Sequence, residues 1–425
     1  MLRRDSLRLR ILLCSLAAWT FAVRASTAPA QTPAAEPAAR QAIATQGPPF
    51  FAALTGVDSH GRIEFRTGKE LRTLAMAELV AWGAPGEQLS RTQVLLADGG
   101  VLAAEILSSD EDRLKVDSEL FGMLEIPLEL VAGAIYHPPV DARRRALLVA
   151  RLRADARGER TEDGAEIRPG APRVNSDRLI LENGDELSGA IAAIGENKLQ
   201  LKTPGGPVEI ELDRVVAISF NPSLLSQARP RGVYCLIGFS DGSRLAAAEL
   251  ALDESLARVT LAGGLKLWTE ASAVTFLQAF GGKAEYLSDL AAESYRHVPY
   301  LSLARPFERD VSIGGANLRA GGRTYLKGVA MHSAARLTFR LAAKHRRFEA
   351  EAAIDDETDG RGSVVFRVFV DDREAYKSPV IRGGMPPTPI SVDVRGGKRL
   401  SLIVDFAERG DELDHADWLN ARLVE

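Results

Sequence analysis

Between residues 94 and 277 the chain repeats one pattern: an apolar run, a tight turn, then a second run in which apolar and polar positions alternate. Val94–Leu102, Arg178–Leu187 and Cys235–Leu245 each hold an Asp-Gly or Asn-Gly pair between two such runs, and these dipeptides accept the positive φ angles of a two-residue hairpin. The middle copy is the clearest. Runs at 187–194, 198–203, 208–212 and 215–220 alternate, separated by Glu196-Asn197, Pro204-Gly205-Gly206 and an Asp213-Arg214 corner. Five short strands in so few residues predict a small antiparallel barrel, since closure hides the edges that a small sheet exposes. The copies at 94–136 and 233–277 match it, and Leu54–Asp58, Arg62–Arg66 and Leu79–Trp82 read as the second half of another. After residue 284 alternation continues in longer strands at 335–341, 347–353, 363–370, 390–394, 399–406 and 417–424. That spacing predicts a two-sheet sandwich. In its last strand Leu419, Ala421 and Leu423 point inward, with Asn420 and Arg422 outward.

Three segments break the β pattern. Arg3, Arg4, Arg8 and Arg10 precede an apolar run from Ile11 to Val23 and a small-residue site at Ala28-Pro29-Ala30, which reads as a cleavable secretory signal over residues 1–30. The run is short for a membrane anchor, and Cys14 lies inside it behind the bulky Leu13, which argues against lipid attachment. Residues 31–49 are rich in Ala and Pro without periodicity, the composition of a tether. Asp141–Ala156 is helix-compatible, with Leu148 and Leu152 one turn apart and arginines on the other faces. It is either a basic surface for a polyanion or a connector packed on a barrel, and the polar run to 175 continues it as a linker.

The expected order is therefore a signal at 1–30, a tether at 31–49 and a first barrel unit at 50–140. A helix and linker at 141–175, a second barrel at 176–222, a third unit at 230–282 and a sandwich at 284–425 follow. The fold class is mainly β. The barrels are similar to Sm-like five-stranded barrels in pattern alone.

Charge narrows the partners. The whole chain carries 53 basic and 57 acidic residues; removal of residues 1–30 takes five Arg and one Asp and leaves 48 against 56, a net of −8. An acidic protein with no concentrated positive face is a poor ligand for nucleic acid or an anionic membrane. Only Cys235 remains after cleavage, so the chain forms no internal disulfide.

The chemistry-bearing motifs lie in the last third. Tyr325-Leu-Lys-Gly-Val-Ala-Met-His332, Phe348–Asp356, Gly362–Asp371 and Leu413-Asp-His-Ala-Asp-Trp418 together resemble the NPCBM family of carbohydrate-binding modules over residues 284–425. The resemblance implies a jelly-roll-like β-sandwich on a secreted glycan-processing protein, binding sugar through end loops. Tyr325, Lys327, His332, Asp355, Asp356, Asp414, His415, Asp417 and Trp418 are the candidate carbohydrate-binding residues within those motifs. For each a structural role is the alternative: Trp418 as core, the histidines as internal hydrogen-bonding groups, the aspartates as loop caps. The run Asp355–Gly360 starts like a calcium loop but has Phe366 at the twelfth position, where a bidentate Glu is needed. It reads as an acidic turn. The resemblance leaves room for a structural calcium ion elsewhere, and no other cofactor is expected. No stretch supplies a catalytic scaffold, so the reading is a non-catalytic, secreted or periplasmic glycan-binding protein with a glycan as its partner. Other envelope or secreted proteins are further candidate partners, and the alternative reading is an envelope assembly protein that binds no sugar.

Overall fold

In the computed structural model, residues 38–86, 91–158, 175–226 and 230–425 are described. The expected signal and most of the 159–175 linker lie outside them. The chain is mainly β, with one α-helix, Ala142–Ala156, among the described residues.

The repeat is fourfold, not threefold. The units span Arg40–Gly83, Gln93–Ile135, Asp177–Ser219 and Tyr234–Phe280, and in each the strands order 5-1-2-3-4 across the sheet. A one-turn 3-10 helix joins strand four to strand five every time: Met76–Glu78, Leu128–Leu130, Leu212–Arg214 and Ala271–Ala273. The expected first unit of 50–140 is thus two units. The expected tether is corrected as well, because Arg40–Ala44 is a strand paired on both sides, to Phe50–Ala52 and to Leu79–Trp82. Its alanines concealed it. Ala42 and Ala44 are buried at alternate positions, but the Ala/Pro-rich surroundings carry no apolar contrast.

The units do not close singly or stand in series. Among the described residues no pairing joins strand four to strand five within a unit. Instead fifth strands pair antiparallel between units: Ala81–Gly83 with Phe276–Gln278, and Gly133–Ile135 with Ala217–Ser219. First joins fourth and second joins third, a nested arrangement in one continuous set of sheets. Each seam needs a glycine. A Cβ on Gly83 would stand 2.3 Å from the Thr275 carbonyl oxygen, and one on Gly133 would stand 2.4 Å from that of Ile218.

One face of each seam packs into the large shared core, and the other face needs a cover. At the inner seam the cover is the helix. Asp141 caps it, accepting from the Arg144 amide at 2.7 Å, and Val149 and Leu152 pack on Ala132, Ile135 and Ala217. The packed-connector reading of this segment is therefore the one the structure shows. At the outer seam the cover is the first strand of the sandwich, Ala284–Tyr286, which packs on Val80 and Phe280. Gln278 donates to the Tyr286 hydroxyl at 2.9 Å, and Lys283 pairs with Glu78 at 2.7 Å.

The sandwich has two six-stranded sheets. Sheet one orders Glu308–Arg309, Gly328–His332, His415–Val424, Arg347–Ile354 and Thr388–Asp393, with Ala284–Tyr286 also paired to the His415–Val424 strand. Sheet two orders Ser294–His297, Ala335–Arg340, Arg399–Phe406, Ser363–Val370 and Arg373–Lys377, with Ile381–Arg382 on the Ser363 strand. Trp418 fills the space between them, edge-on to Phe366 at 4.9 Å. In the last strand Ala421 and Leu423 face the sandwich core as expected, with Arg422 between them on the other face, covered there and held by Glu349 at 2.6 Å, whereas Leu419 leaves that core and packs in a separate cluster with Leu318, Tyr325 and Ala330. A bulge opposite Glu349 and Glu351 and the positive φ of Asn420 reset the alternation there.

Two expectations follow. Gly133→Ala forces a methyl into the inner seam and should cost roughly 1–3 kcal/mol, read as a lower urea midpoint at unchanged slope; an unchanged midpoint would show that the seam tolerates separation. A protein comprising residues 283–425 should unfold in one cooperative transition, at lower stability than in the whole chain because Tyr286 loses its cover. A gradual, non-cooperative loss of near-ultraviolet circular dichroism would refute that autonomy.

Candidate functional site

The two sequence motifs that lie some eighty residues apart meet as neighbouring strands. Gly328–His332 runs antiparallel to His415–Leu419, and His332 stands directly opposite His415. Strand ends there bring together the loops 298–307, 333–334, 355–362 and 407–414. Three imidazoles line up: His332 lies 5.7 Å from His297 and 5.8 Å from His415, ring centre to ring centre.

Each ring is anchored. His297 accepts from the Arg305 amide through Nδ1 at 2.9 Å, which leaves Nε2 to donate to the Ser333 carbonyl at 3.0 Å. His332 Nδ1 lies 3.0 Å from the same carbonyl oxygen. Burial holds the His332 imidazole below its ordinary pKa, so the neutral form is favoured. His415 Nδ1 meets Glu357 Oε1 at 2.7 Å, and Glu357 also accepts from Ser312 Oγ and the Gly314 amide. Burial raises the Glu357 pKa, but the hydrogen bonds from His415 and Ser312 outweigh it and the net shift is downward.

The aspartates tie loops together. Asp414 is fully buried; it accepts from the Ser333 hydroxyl and, at 2.8 Å, from the Ser363 amide. Burial outweighs these bonds and pushes its pKa up to about 6. Asp355 accepts from the Glu357 and Arg319 amides, and Asp356 from the Gly321 and Gly322 amides, so the pair pins the hairpin Leu318–Tyr325 onto sheet one. This is the acidic turn read from the sequence, with Asp356–Thr358 in a 3-10 turn. Asp417 lies beneath it with no hydroxyl or amide of another residue reaching either oxygen. Its hydrogen-bonding neighbour is the Asp355 carboxyl. Two carboxyls can bond only through a proton of their own, and burial, then the charge of Asp355, raise Asp417 well above the carboxylate range.

Seven of the nine residues named from the sequence are buried: Tyr325, Lys327, His332, Asp355, Asp414, Asp417 and Trp418. Asp356 and His415 are half-buried. Tyr325 donates to Glu351 at 3.2 Å, and Lys327 spans Asp289 and Asp310 at 2.6 Å each. Most of the motif residues are thus engaged in bonds and packing within the module. Motifs rich in rings and charges look alike whether they bind a ligand or brace a sandwich end; burial separates the two.

The exposed chemistry at this end lies in a segment the motifs did not include. Tyr300 is 66% exposed and rests edge-on against Phe406 at 6.0 Å, with Gly410 beside the ring. Arg305 and Asp411 lie near enough to His332 for their charges to bear on it. The signal was present as Val298-Pro-Tyr-Leu-Ser-Leu303, apolar without alternation and next to His297. On the other side of the end, a cavity of about 490 Å³ separates the acidic turn from the start of the helix. Asp141, Arg143 and Arg145 face Asp356, Glu357 and Asp359 across it. Among the described residues no three His, Cys, Asp or Glu side chains are grouped to hold a metal ion.

Residues 283–424 match the family model described as NPCBM/NEW2 domain. A 125-residue stretch is 32% identical to a protein of Renibacterium salmoninarum named "Putative endo-alpha-N-acetylgalactosaminidase", covering 28% of this chain and 8% of that protein. A 115-residue stretch is 33% identical to alpha-1,3-galactosidase B of Akkermansia muciniphila, covering 26% and 14%. The chain thus spans less than a sixth of the length of either relative. Among solved structures, it is similar to the CBM51 of a Clostridium perfringens GH95 protein in complex with methyl-galactose. The identity is 22%, with 33% of this chain and 99% of that chain covered at a TM-score of 0.31.

Asp414 makes this end pH-sensitive. Its folded pKa of about 6 exceeds the reference of 3.8, so its contribution is complete below about pH 4 and is lost as pH rises through 6. The stability difference between the wild type and Asp414→Asn should therefore shift in favour of the variant by on the order of 2–3 kcal/mol from pH 4 to pH 7. Urea denaturation at both pH values reads it, and a difference that does not change with pH would refute it.

Proposed function

We propose that the chain is a secreted or periplasmic, non-catalytic carbohydrate-binding protein, and that it recognises glycan through the open half of the sandwich end at Tyr300. The observation that carries this reading is an exposed aromatic ring beside tethered polar groups, on the domain that matches NPCBM/NEW2. A sugar ring has an apolar face and a rim of hydroxyls, and a ring such as Tyr300 covers the first while neighbours satisfy the second. Arg305 and Asp411 supply a donor and an acceptor. His297, with its tautomer set by Arg305 and Ser333, fixes the base of the loop. Among the similar solved structures one CBM51 is in complex with methyl-galactose and another with GlcNAc, which makes neutral hexoses and N-acetylhexosamines the first ligands to try.

The arrangement of the carboxyls in the sandwich supports binding without cleavage. A glycosidase needs two that face a substrate across a gap. Here Asp355 and Asp417 face each other, while Asp414 is fully buried under Ser333 and Ser363. Secretion rests on the charge and apolar pattern of residues 1–30. In this reading no cofactor is required, and a structural calcium ion would need ligands other than the turn oxygens already engaged by amides. A second reading, an assembly role in the cell envelope through protein contacts, draws on Val298, Leu301 and Leu303, which are 51%, 81% and 67% exposed beside Tyr300.

A glycan array probed with the chain from residue 31 onward, followed by calorimetry on the best ligand, tests both. Tyr300→Ala should weaken binding about tenfold or more with the melting temperature unchanged. An array without signal, or equal affinity in the variant, would remove Tyr300 from the site and turn attention to the protein-contact reading.

A further inference from the structure

A groove with a volume of about 950 Å³ lies outside the sandwich, between the first and fourth repeat units. Its floor is the outward face of the fourth unit, and its wall includes the loop Asp58–Gly61 and the turn Ala75–Ala77 of the first. Register places the floor residues in two cross-strand rows. One row is Ala251, Arg258 and Trp268; the other is Glu249, Thr260 and Lys266. Side chains between them, Leu250, Val259 and Leu267, point the other way into the core. Trp268 is 63% exposed, whereas Trp82 and Trp418 are buried. The Arg258 guanidinium is held by Asp253 at 3.2 Å.

The geometry points to a second glycan site: this groove binds a neutral oligosaccharide, stacked on Trp268 and hydrogen-bonded by the Glu249, Thr260 and Lys266 row. An exposed indole on a sheet is costly to leave in water and offers a flat apolar face. The adjacent row offers a carboxylate, a hydroxyl and an ammonium, the groups that satisfy sugar hydroxyls. Charges of both signs line the groove, Asp58 and Glu249 with Arg258 and Lys266, so no single field selects a polyanion. The volume stands at the upper end of the roughly 300–1,000 Å³ of small-ligand pockets, which suits several linked rings better than one. The site is independent of the sandwich, and together the two would make the chain bivalent towards a polysaccharide.

Trp268 reports on its own occupancy. In the chain from residue 31 onward the remaining tryptophans are buried, so acrylamide quenching of fluorescence reads Trp268. Cellotetraose, chitotetraose and galactotetraose are the probes, with an uncharged ten-residue β-strand peptide as the competitor class. At least one tetrasaccharide should protect the indole, Trp268→Ala should weaken its calorimetric affinity tenfold or more, and Trp268→Phe should restore most of it. Tyr300→Ala should leave this protection intact, which separates failure here from failure of the sandwich site. Protection by none of the three sugars, or by the peptide alone through the free edge of Lys266–Glu270, would overturn the proposal.

Discussion

The antiparallel pairing of fifth strands is the constraint on which the rest of the structure depends. A five-stranded sheet ordered 5-1-2-3-4 that does not close leaves its fifth strand with one row of unpaired amides and carbonyls. Here the fold satisfies that row by pairing first with fourth and second with third units. The pairing brings two backbones so close that Gly83 and Gly133 are required. It also creates two apolar outer faces, and each is covered by whatever follows in the chain: the helix over the inner seam, the sandwich's first strand over the outer one.

That cover sets the sandwich's position. Because Ala284–Tyr286 belongs both to sheet one and to the outer seam, the module is joined to the repeats by packed residues and not by a loose tether. The acidic turn at 355–359 consequently faces the arginines of the helix, and the Tyr300 side of the same end is left open. Which half of the loop cluster meets solvent is thus decided by strand pairing far away in the repeats.

Buried polarity does the local work. Asp414, Asp355 and Lys327 hold loops in place through bonds whose removal would strand a buried group, a penalty of about 1–3 kcal/mol each. The nested pairing places the Trp268 groove at the contact of first and fourth units, and nothing within either unit alone would form it.

Alternation and turn chemistry alone determined much of this protein. Asn183-Gly184 and Asp241-Gly242 mark their hairpins, and the strands Lys198–Thr203, Ser363–Val370 and Arg399–Phe406 fall where period two puts them, since side chains must alternate between core and solvent. The motifs around His332 and Asp414–Trp418 were legible as partners and do meet. Their roles were not legible. A sequence lists donors, acceptors and rings, but whether Trp418 touches a ligand or Phe366 depends on which loops cover it. Arg40–Ala44 was hidden because alanines bury without apolar contrast, and Leu419 was misplaced because a bulge at Asn420 shifts the phase. The nested seams are long-range facts: strand edges carry no side-chain signature of the partner they will choose, so only the assembled backbone could decide them.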